Sequence, residues 1–434
     1  MKALFSTMCL LAAAASMTTA NAEPLDFEEF EAGEFIYTVL DEDEMTVEVY
    51  GPAEETPLSE NAVIPGEVTF EGHTFKVVSV SPYAFYENDV MKSVVMSEGI
   101  ESICESAFYE CFLLKSVSIP STLTVIENEA FTHCQEIEEY IVSKNNPVFC
   151  AYNKGLYSKD MTEVVMLPTT PATFELPESV SKICPWACSY NPYIKEIVVP
   201  SNITEMEIGS FYGNAQLSKV TIEANVTELP EWGFAFNKRL ESVVLPESLT
   251  KVGVKTFELC QSLKEISLPE AVETVDEGAF HNCSVLETVR MGSAVASLGS
   301  QAFASCLQIK EIHVGATVPP SAFKDTFSPA LYSYATLFVP VGAKEAYAAA
   351  DIWKEFSNIQ EETTTCIADA ASQTFKTRVD NGTLTISNAE GLSVQVYTID
   401  GRMVYSTESY AGEHIVLSQG VNIVKIADTT ITIL

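Results

Sequence analysis

Basic side chains are scarce in this 434-residue chain: 24 Lys and Arg stand against 60 Asp and Glu, a formal charge of −36. Such a field repels phosphate backbones and anionic headgroups, so nucleic acid and membrane surfaces are poor partners, while solubility and basic partner patches are favoured. Histidine is scarcer still. His73, His133, His281, His313 and His414 share no spacing, and no HExxH, Gly-rich phosphate loop or GxSxG elbow occurs. Chemistry needs a nucleophile and base, or paired acids, held together, and the sequence presents neither, so no enzyme, cofactor or metal site is expected. The 11 cysteines fall in no CxxC or paired-His spacing, which argues against zinc. Long apolar runs are missing too: no segment after the N-terminus has 18 consecutive apolar residues, so no membrane insertion is expected.

What is present begins with an export pattern. Lys2 precedes a mostly apolar run from Ala3 to Met17, then small residues lead to Ala20-x-Ala22. That run is too short to span a bilayer and carries the flanks of a signal peptide, so residues 1–22 are expected to be removed and the product to lie outside the cell or on its surface. Cys9 lacks the small-residue approach of a lipoprotein cysteine.

The body of the chain is periodic. An aromatic column runs through Phe85, Phe108, Phe131, Phe211, Phe234, Phe257, Phe280 and Phe303, with Cys188 taking one place; the spacing is 23 residues except for one 57-residue step from Phe131 to Cys188. Three residues after each anchor stands Asn or Cys: Asn88, Cys111, Cys134, Asn191, Asn214, Asn237, Cys260, Cys283 and Cys306. Five before it is a bulky aliphatic, from Val80 and Ile103 to Val275 and Leu298. Nine and eleven after it stand further apolar residues such as Val117 and Ile119, or Ile266 and Leu268. Positions nine and eleven share one face of a short strand, and the proline that follows in several rungs (Pro120, Pro200, Pro246, Pro269) withholds a ladder donor. A lone rung buries too little apolar surface to fold, so a stacked solenoid is required.

The Asn/Cys column predicts a corner position where a side chain turns inward to meet backbone carbonyls. Asn donates there, and Cys is a small hydrophobe with a weak S–H donor, which explains their interchange. A disulfide between neighbours such as Cys111 and Cys134 has a compatible separation, but a ladder of parallel side chains is expected to stay reduced. His133 and His281 stand beside the corner in variable columns and read as surface decoration.

The pattern I-x-x-x-A-F-x-x-C/N-x-x-L-x-x-I-x-I-P resembles the BspA-like leucine-rich repeats of bacterial surface proteins, particularly of the Bacteroidetes, over roughly residues 62–360. The stretch Gly155-Leu-Tyr-Ser-Lys-Asp to Leu167-Pro168 is similar to the irregular rung common in such arrays, whereas Cys188 and Pro185-Trp-Ala depart from the consensus. The resemblance implies a protein that mediates adhesion or protein–protein interaction with host or neighbouring-cell surface proteins. Glycan binding or scaffolding for nutrient capture is the alternative, and an inert layer component a third.

The expected organisation is a signal peptide (1–22), a β-rich cap (23–80), a leucine-rich-repeat solenoid (81–332) with an irregular insert (143–176), a cap with a helix (333–362), and a small antiparallel β-sandwich (366–434). The first cap is expected to hold a hairpin, Phe35–Leu40 and Thr46–Tyr50 about an Asp41–Glu44 turn. The second is expected to hold a strand at 335–340 and a helix over 344–356 presenting Tyr347, Trp353 and Phe356, followed by a polar linker at Glu361–Thr365. In the tail, Ser393–Ile399, an Asp400-Gly401 turn, Arg402–Tyr405, His414–Leu417 and Val421–Ile426 alternate as strands. This tail resembles the sorting domain of type IX secretion cargo, departing at Asn422, where an aromatic is usual, and in having no basic residue after Lys425. An accessory immunoglobulin-like module is the other reading.

For binding, the exposed column of the strand face is expected to serve, eight and ten residues after each anchor. Glu196, Lys219, Thr221, Glu265, Thr288, Arg290, Glu311 and His313 are the candidate residues. A second candidate is the tyrosine cluster beside the anchors: Tyr83, Tyr86, Tyr109, Tyr190, Tyr193 and Tyr212.

Overall fold

The computed structural model describes residues 28–170, 174–362, 376–380, 383–387, 393–398, 403–407, 415–416, 422–426 and 429–433. The export signal, residues 363–365 of the linker and the Asp400-Gly401 turn lie outside them. The chain forms two compact units, Met1–Lys154 and Gly155–Leu434.

In the first unit, strands Asn61–Ile64, Ser93–Met96, Ser116–Ile119 and Glu139–Val142 pair in parallel, one per rung. A second parallel ladder joins Ser79–Val80 to Ser102–Ile103 and Val125–Ile126. The expected hairpin is present: Phe35–Asp41 pairs antiparallel with Thr46–Pro52, and the Asp41 carboxylate accepts the Glu44 amide at 2.9 Å to close the turn. Thr46–Pro52 then pairs in parallel with His73–Val80 and so joins the hairpin to the rungs. The strand ladder begins at Asn61, inside the stretch expected to be cap, because that strand pairs like a rung without having an Ala-Phe anchor before it.

In the second unit the irregular segment forms a hairpin, Gly155–Ser158 against Glu163–Met166. Asp160 accepts the Ser158 and Thr162 hydroxyls, each at 2.8 Å, across its turn. Its second strand joins the rung ladder through Lys182–Ile183 and Glu205–Met206. Cys188 keeps the backbone bond of an anchor, its amide donating to Ser210 at 3.0 Å, while Phe174 presents its ring edge-on to Phe211 at 5.4 Å. The rung therefore packs despite losing its phenylalanine.

The anchors form the core. Phe85, Phe108 and Phe131 stack at 5.1 and 5.2 Å in the first unit. In the second, Phe211, Phe234, Phe257, Phe280 and Phe303 stack at 5.1–5.6 Å with ring planes within 12°. The stack has one more member than the 23-residue spacing predicts: Phe327 lies 5.6 Å from Phe303. The intervening Ala322-Phe323 imitates an anchor in sequence, but Phe323 is 58% exposed and Phe327 fully buried.

The corner column behaves as its chemistry suggests. Each of Cys111, Cys134, Cys260, Cys283 and Cys306 donates its Sγ–H to the phenylalanine carbonyl one rung back, at 3.0–3.3 Å. Asn237 donates to the same acceptor, Phe211 O, at 2.9 Å. The two residue types differ in the amide they serve. Before an asparagine, the corner amide donates forward to its Oδ1, as Asn191 does to Asn214 and Asn214 to Asn237, both at 2.8 Å. At cysteines 111, 134, 260 and 283 the amide instead bends back to its own phenylalanine carbonyl at 3.3–3.4 Å. All nine described cysteines are free thiols, and burial pushes those of Cys134, Cys188, Cys260 and Cys283 well above the ordinary range.

Two residues per rung, two before and two after the anchor, take left-handed backbone. Trp186 and Tyr190, Gly209 and Gly213, and Trp232 and Phe236 occupy these places in three successive rungs. Glycine at 209 also makes room, since a Cβ there would run into the Trp186 ring.

The solenoid ends on parallel strands Glu311–Val314, Thr336–Pro340 and Asn358–Glu362. Glu361 and Glu362 thus stand in a strand rather than in a linker. The closing helix is shorter than its pattern suggests: Lys344–Ala349 is α-helical, Ala350 is extended, Ile352 has φ 70°, and Trp353–Glu355 forms one 3₁₀ turn. The break lets two polar tips reach backbone, with Tyr347 Oη donating to Ala316 O at 2.8 Å and Trp353 Nε1 to Pro320 O at 2.7 Å. Tyr347, Trp353 and Phe356 are all buried. Beyond them, the described strands of the tail form two antiparallel sheets. One contains Lys376–Asp380, Thr383–Ser387 and Ile415–Val416; the other contains Val394–Thr398, Met403–Thr407, Asn422–Ile426 and Thr429–Ile433.

Candidate binding surfaces

Alternation along each rung strand buries two side chains and turns two outward. In the second unit this places the expected strand-face residues in register. Glu196, Lys219 and Ser242 stand side by side, with Val198, Thr221 and Val244 beside them. A second group is wider. Glu265, Thr288, Glu311, Thr336 and Asn358 form one column, and Ser267, Arg290, His313, Phe338 and Gln360 the next. Glu196, Lys219 and Glu265 are exposed, while Thr221, Thr288, Arg290, Glu311 and His313 are half-buried. Beside the face, Lys310 meets Glu287 at 2.8 Å and holds its carboxyl below the usual carboxylate range. Ion pairs this exposed add little stability.

His313 is more constrained than a freely presented contact. Its ring lies flat on Phe338 at 4.5 Å, its Nδ1 is 2.9 Å from Glu362 Oε1, and its Nε2 is 3.5 Å from Glu311. Sequence reasoning identified His313 but neither Phe338 nor Glu362. Phe338 was legible from the outward places in Thr336-Leu-Phe-Val, whereas Glu362 meets His313 across 49 residues with no shared column.

The strand face of the first unit is less charged. Asn61, Ser93, Ser116 and Glu139 form one column, and Val63, Val95, Ser118 and Ile141 the other, with Val63, Val95 and Ile141 exposed.

The tyrosines lie at the rung corners. In the first unit Tyr86 stacks on Tyr109 at 5.7 Å and Tyr83 meets Tyr86 edge-on at 6.1 Å. In the second, Tyr190 packs on Tyr212 at 5.2 Å, and the cluster extends to Trp186, Trp232 and Phe236. Tyr193 is exposed. The added members were visible as the columns two before and two after the anchor. His133 and His281 are more than decoration: each is half-buried and meets a glutamate one rung back, Glu110 at 2.9 Å and Glu258 at 3.0 Å.

Among the described residues, no three His, Cys, Asp or Glu side chains are grouped to hold a metal ion, and no helix is long and apolar enough to cross a membrane.

Parallel ladders, a stacked phenylalanine core and a 23-residue corner rule define a leucine-rich-repeat solenoid. The family model for the BspA type leucine rich repeat region matches residues 69–164, 169–238 and 233–328 in six copies, more than half of the chain. The chain belongs to that family. Solved structures are similar to the chain at low identity. A leucine rich cell surface protein from Faecalibacterium prausnitzii is 18% identical, with 62% of this chain and 96% of that one covered and a TM-score of 0.38. The pneumococcal vaccine antigen PcpA is 18% identical, with coverages of 77% and 98% and a TM-score of 0.44. A leucine-rich repeat protein from Bacteroides ovatus is 23% identical, with coverages of 65% and 94% and a TM-score of 0.31. No curated protein matches the chain.

Proposed function

We propose that this chain is exported, held on the bacterial surface and used to bind proteins of a host or neighbouring cell through its strand face. The observation that carries this reading is the wide, in-register face from Glu265 to Gln360, where carboxylates, Arg290, Phe338 and small hydroxyls stand on five parallel strands. Rigid parallel strands hold such groups at fixed spacing, which lowers the ordering cost of binding. Membership in the BspA type family supports the surface role.

A screen of the full-length chain against matrix proteins and polysaccharides tests it. Saturable binding to a protein is expected, and the double variant Lys219→Glu/Arg290→Glu weakens it by about tenfold or more through lost charge complementarity. Saturable glycan binding with no protein ligand would overturn the reading in favour of nutrient capture. We further propose that the tail directs display. Cells expressing a chain without residues 366–434 are then expected to lose surface labelling by antibody while keeping the protein inside; undiminished labelling would remove the sorting role.

A further inference from the structure

Within the first unit a second outward surface remains after the strand face is set aside. At the rung corners, Tyr83 is 53% exposed, Tyr86 44% and Phe112 38%. These rings are held in place. Tyr86 lies on Tyr109, Tyr83 abuts Tyr86, and Phe112 meets His133 edge-on at 5.4 Å. Tyr83 takes a left-handed backbone with φ 58°, a conformation that disfavours a bulky residue, so its exposed ring is not explained by local backbone preference.

The charge around these rings has one sign. From Val77 to Ser143 stand eleven Asp and Glu and only two basic residues, Lys92 and Lys115. Both lysines are engaged elsewhere, with Glu60 and Glu138. A hydrogen bond to Glu87, then loss of solvation, then the charge of Glu110 push the Tyr86 phenol up to about 12. Burial and then Glu105 likewise raise the carboxyl of Glu129. Rings presenting electron-rich faces among an excess of carboxylates attract a cation.

The second unit shows what such a corner does with one. There Lys255, two residues before its anchor in the column that Tyr83 occupies, places its ammonium 5.7 Å from the centre of the Trp232 ring. The chain supplies its own cation at that corner. In the first unit the same column holds Tyr83, Ser106 and Glu129 in place of a lysine.

We propose that the corner face around Tyr83, Tyr86 and Phe112 docks a Lys/Arg-rich segment of a partner protein. The basic side chains lie over the tyrosine rings and pair with Glu87, Glu105 and Glu110, while the aliphatic stems cover Phe112. This face is separate from the strand face, so the inference shares the protein-binding reading but not its residues.

The probe is a labelled peptide with alternating glycine and basic residues, Gly-Lys-Gly-Arg repeated three times, titrated with the full-length chain by fluorescence anisotropy at two salt concentrations. Saturable binding that weakens with salt is expected. The variant Tyr83→Gly/Tyr86→Ser keeps the net charge and relieves the left-handed backbone at position 83, and it weakens binding about tenfold. Glu87→Gln weakens it less and lowers its salt sensitivity, whereas Phe323→Ser, at an exposed ring outside this unit, leaves it unchanged. Lys219→Glu/Arg290→Glu also leaves it unchanged, which separates this face from the strand face. Peptide affinity that ignores the tyrosine substitutions would reduce the interaction to diffuse charge and overturn the proposal. Equal binding to phosphatidylcholine vesicles would overturn it in favour of a lipid ammonium headgroup.

Discussion

Replacing Phe257 with alanine is expected to lower the free energy of unfolding by about 3–5 kcal/mol, measured by urea titration followed by circular dichroism. The ring is fully buried and stacked on both sides, against Phe234 at 5.6 Å and Phe280 at 5.3 Å. Removing it opens a hole between two neighbours that cannot close, because backbone bonds fix both: the Phe234 amide donates to Thr256 and the Phe280 amide to Ala302. The hole also undermines the corner, since Phe257 O accepts the Cys283 thiol. In a repeat array the damage passes to adjoining rungs through their shared interfaces, so the transition should broaden as well as shift. Phe323→Ala is the control. The same chemical change at an exposed ring moves stability by about 0.5 kcal/mol or less. A Phe257→Ala loss no larger than the control's would mean the stack is not what holds the rungs.

The second expected result concerns Asn237. Its Nδ2 reaches Phe211 O and Phe234 O at 2.9 and 2.7 Å, and its Oδ1 accepts the Asn214 amide at 2.8 Å, all fully buried. The carbonyls keep other partners after Asn237→Ala: Asn214 Nδ2 still bonds Phe211 O, and the Cys260 thiol still bonds Phe234 O. The Asn214 amide does not, and a buried unpaired donor together with the lost bonds costs about 2–4 kcal/mol. Asn237→Cys should cost only about 1 kcal/mol, because a thiol can serve Phe211 O and the Asn214 amide can turn back to it, as amides do in the cysteine rungs. Equal losses in the two variants would show that the corner needs volume rather than a donor.

Much of this architecture was legible because a solenoid repeats its physics at fixed sequence distance. The Phe column announces itself eight times, and the Asn/Cys column and the inward strand pairs nine times. What escaped was whatever broke the spacing or lived on the backbone. Phe327 stands 24 residues from Phe303 without a preceding alanine and is masked by Ala322-Phe323, which carries the Ala-Phe pair at a spacing of 20. The helix at 344–356 shows a good apolar pattern, but periodicity does not reveal the turn at Ile352 that Tyr347 and Trp353 need to reach Ala316 and Pro320. The acceptor for every corner thiol is a main-chain carbonyl, which carries no residue-type signal. On the strand face, Glu265 and Arg290 were found from alternation alone. The tether from His313 to Glu362 depends on three strands closing in register, and no local pattern states that.

The corner bond has a consequence for how such a gene can change. At the corners of Cys111, Cys134, Asn237, Cys260, Cys283 and Cys306 the side chain takes the phenylalanine carbonyl of the rung behind, so these junctions accept the same partner. Unequal crossing-over that inserts or removes a whole 23-residue unit leaves both new neighbours chemically matched. The same event one residue out of phase misaligns the donor, the ring and the strand at once. The array can therefore lengthen or shorten its display area by recombination in whole steps, while point mutation adjusts only the outward positions, and the two routes of variation do not interfere.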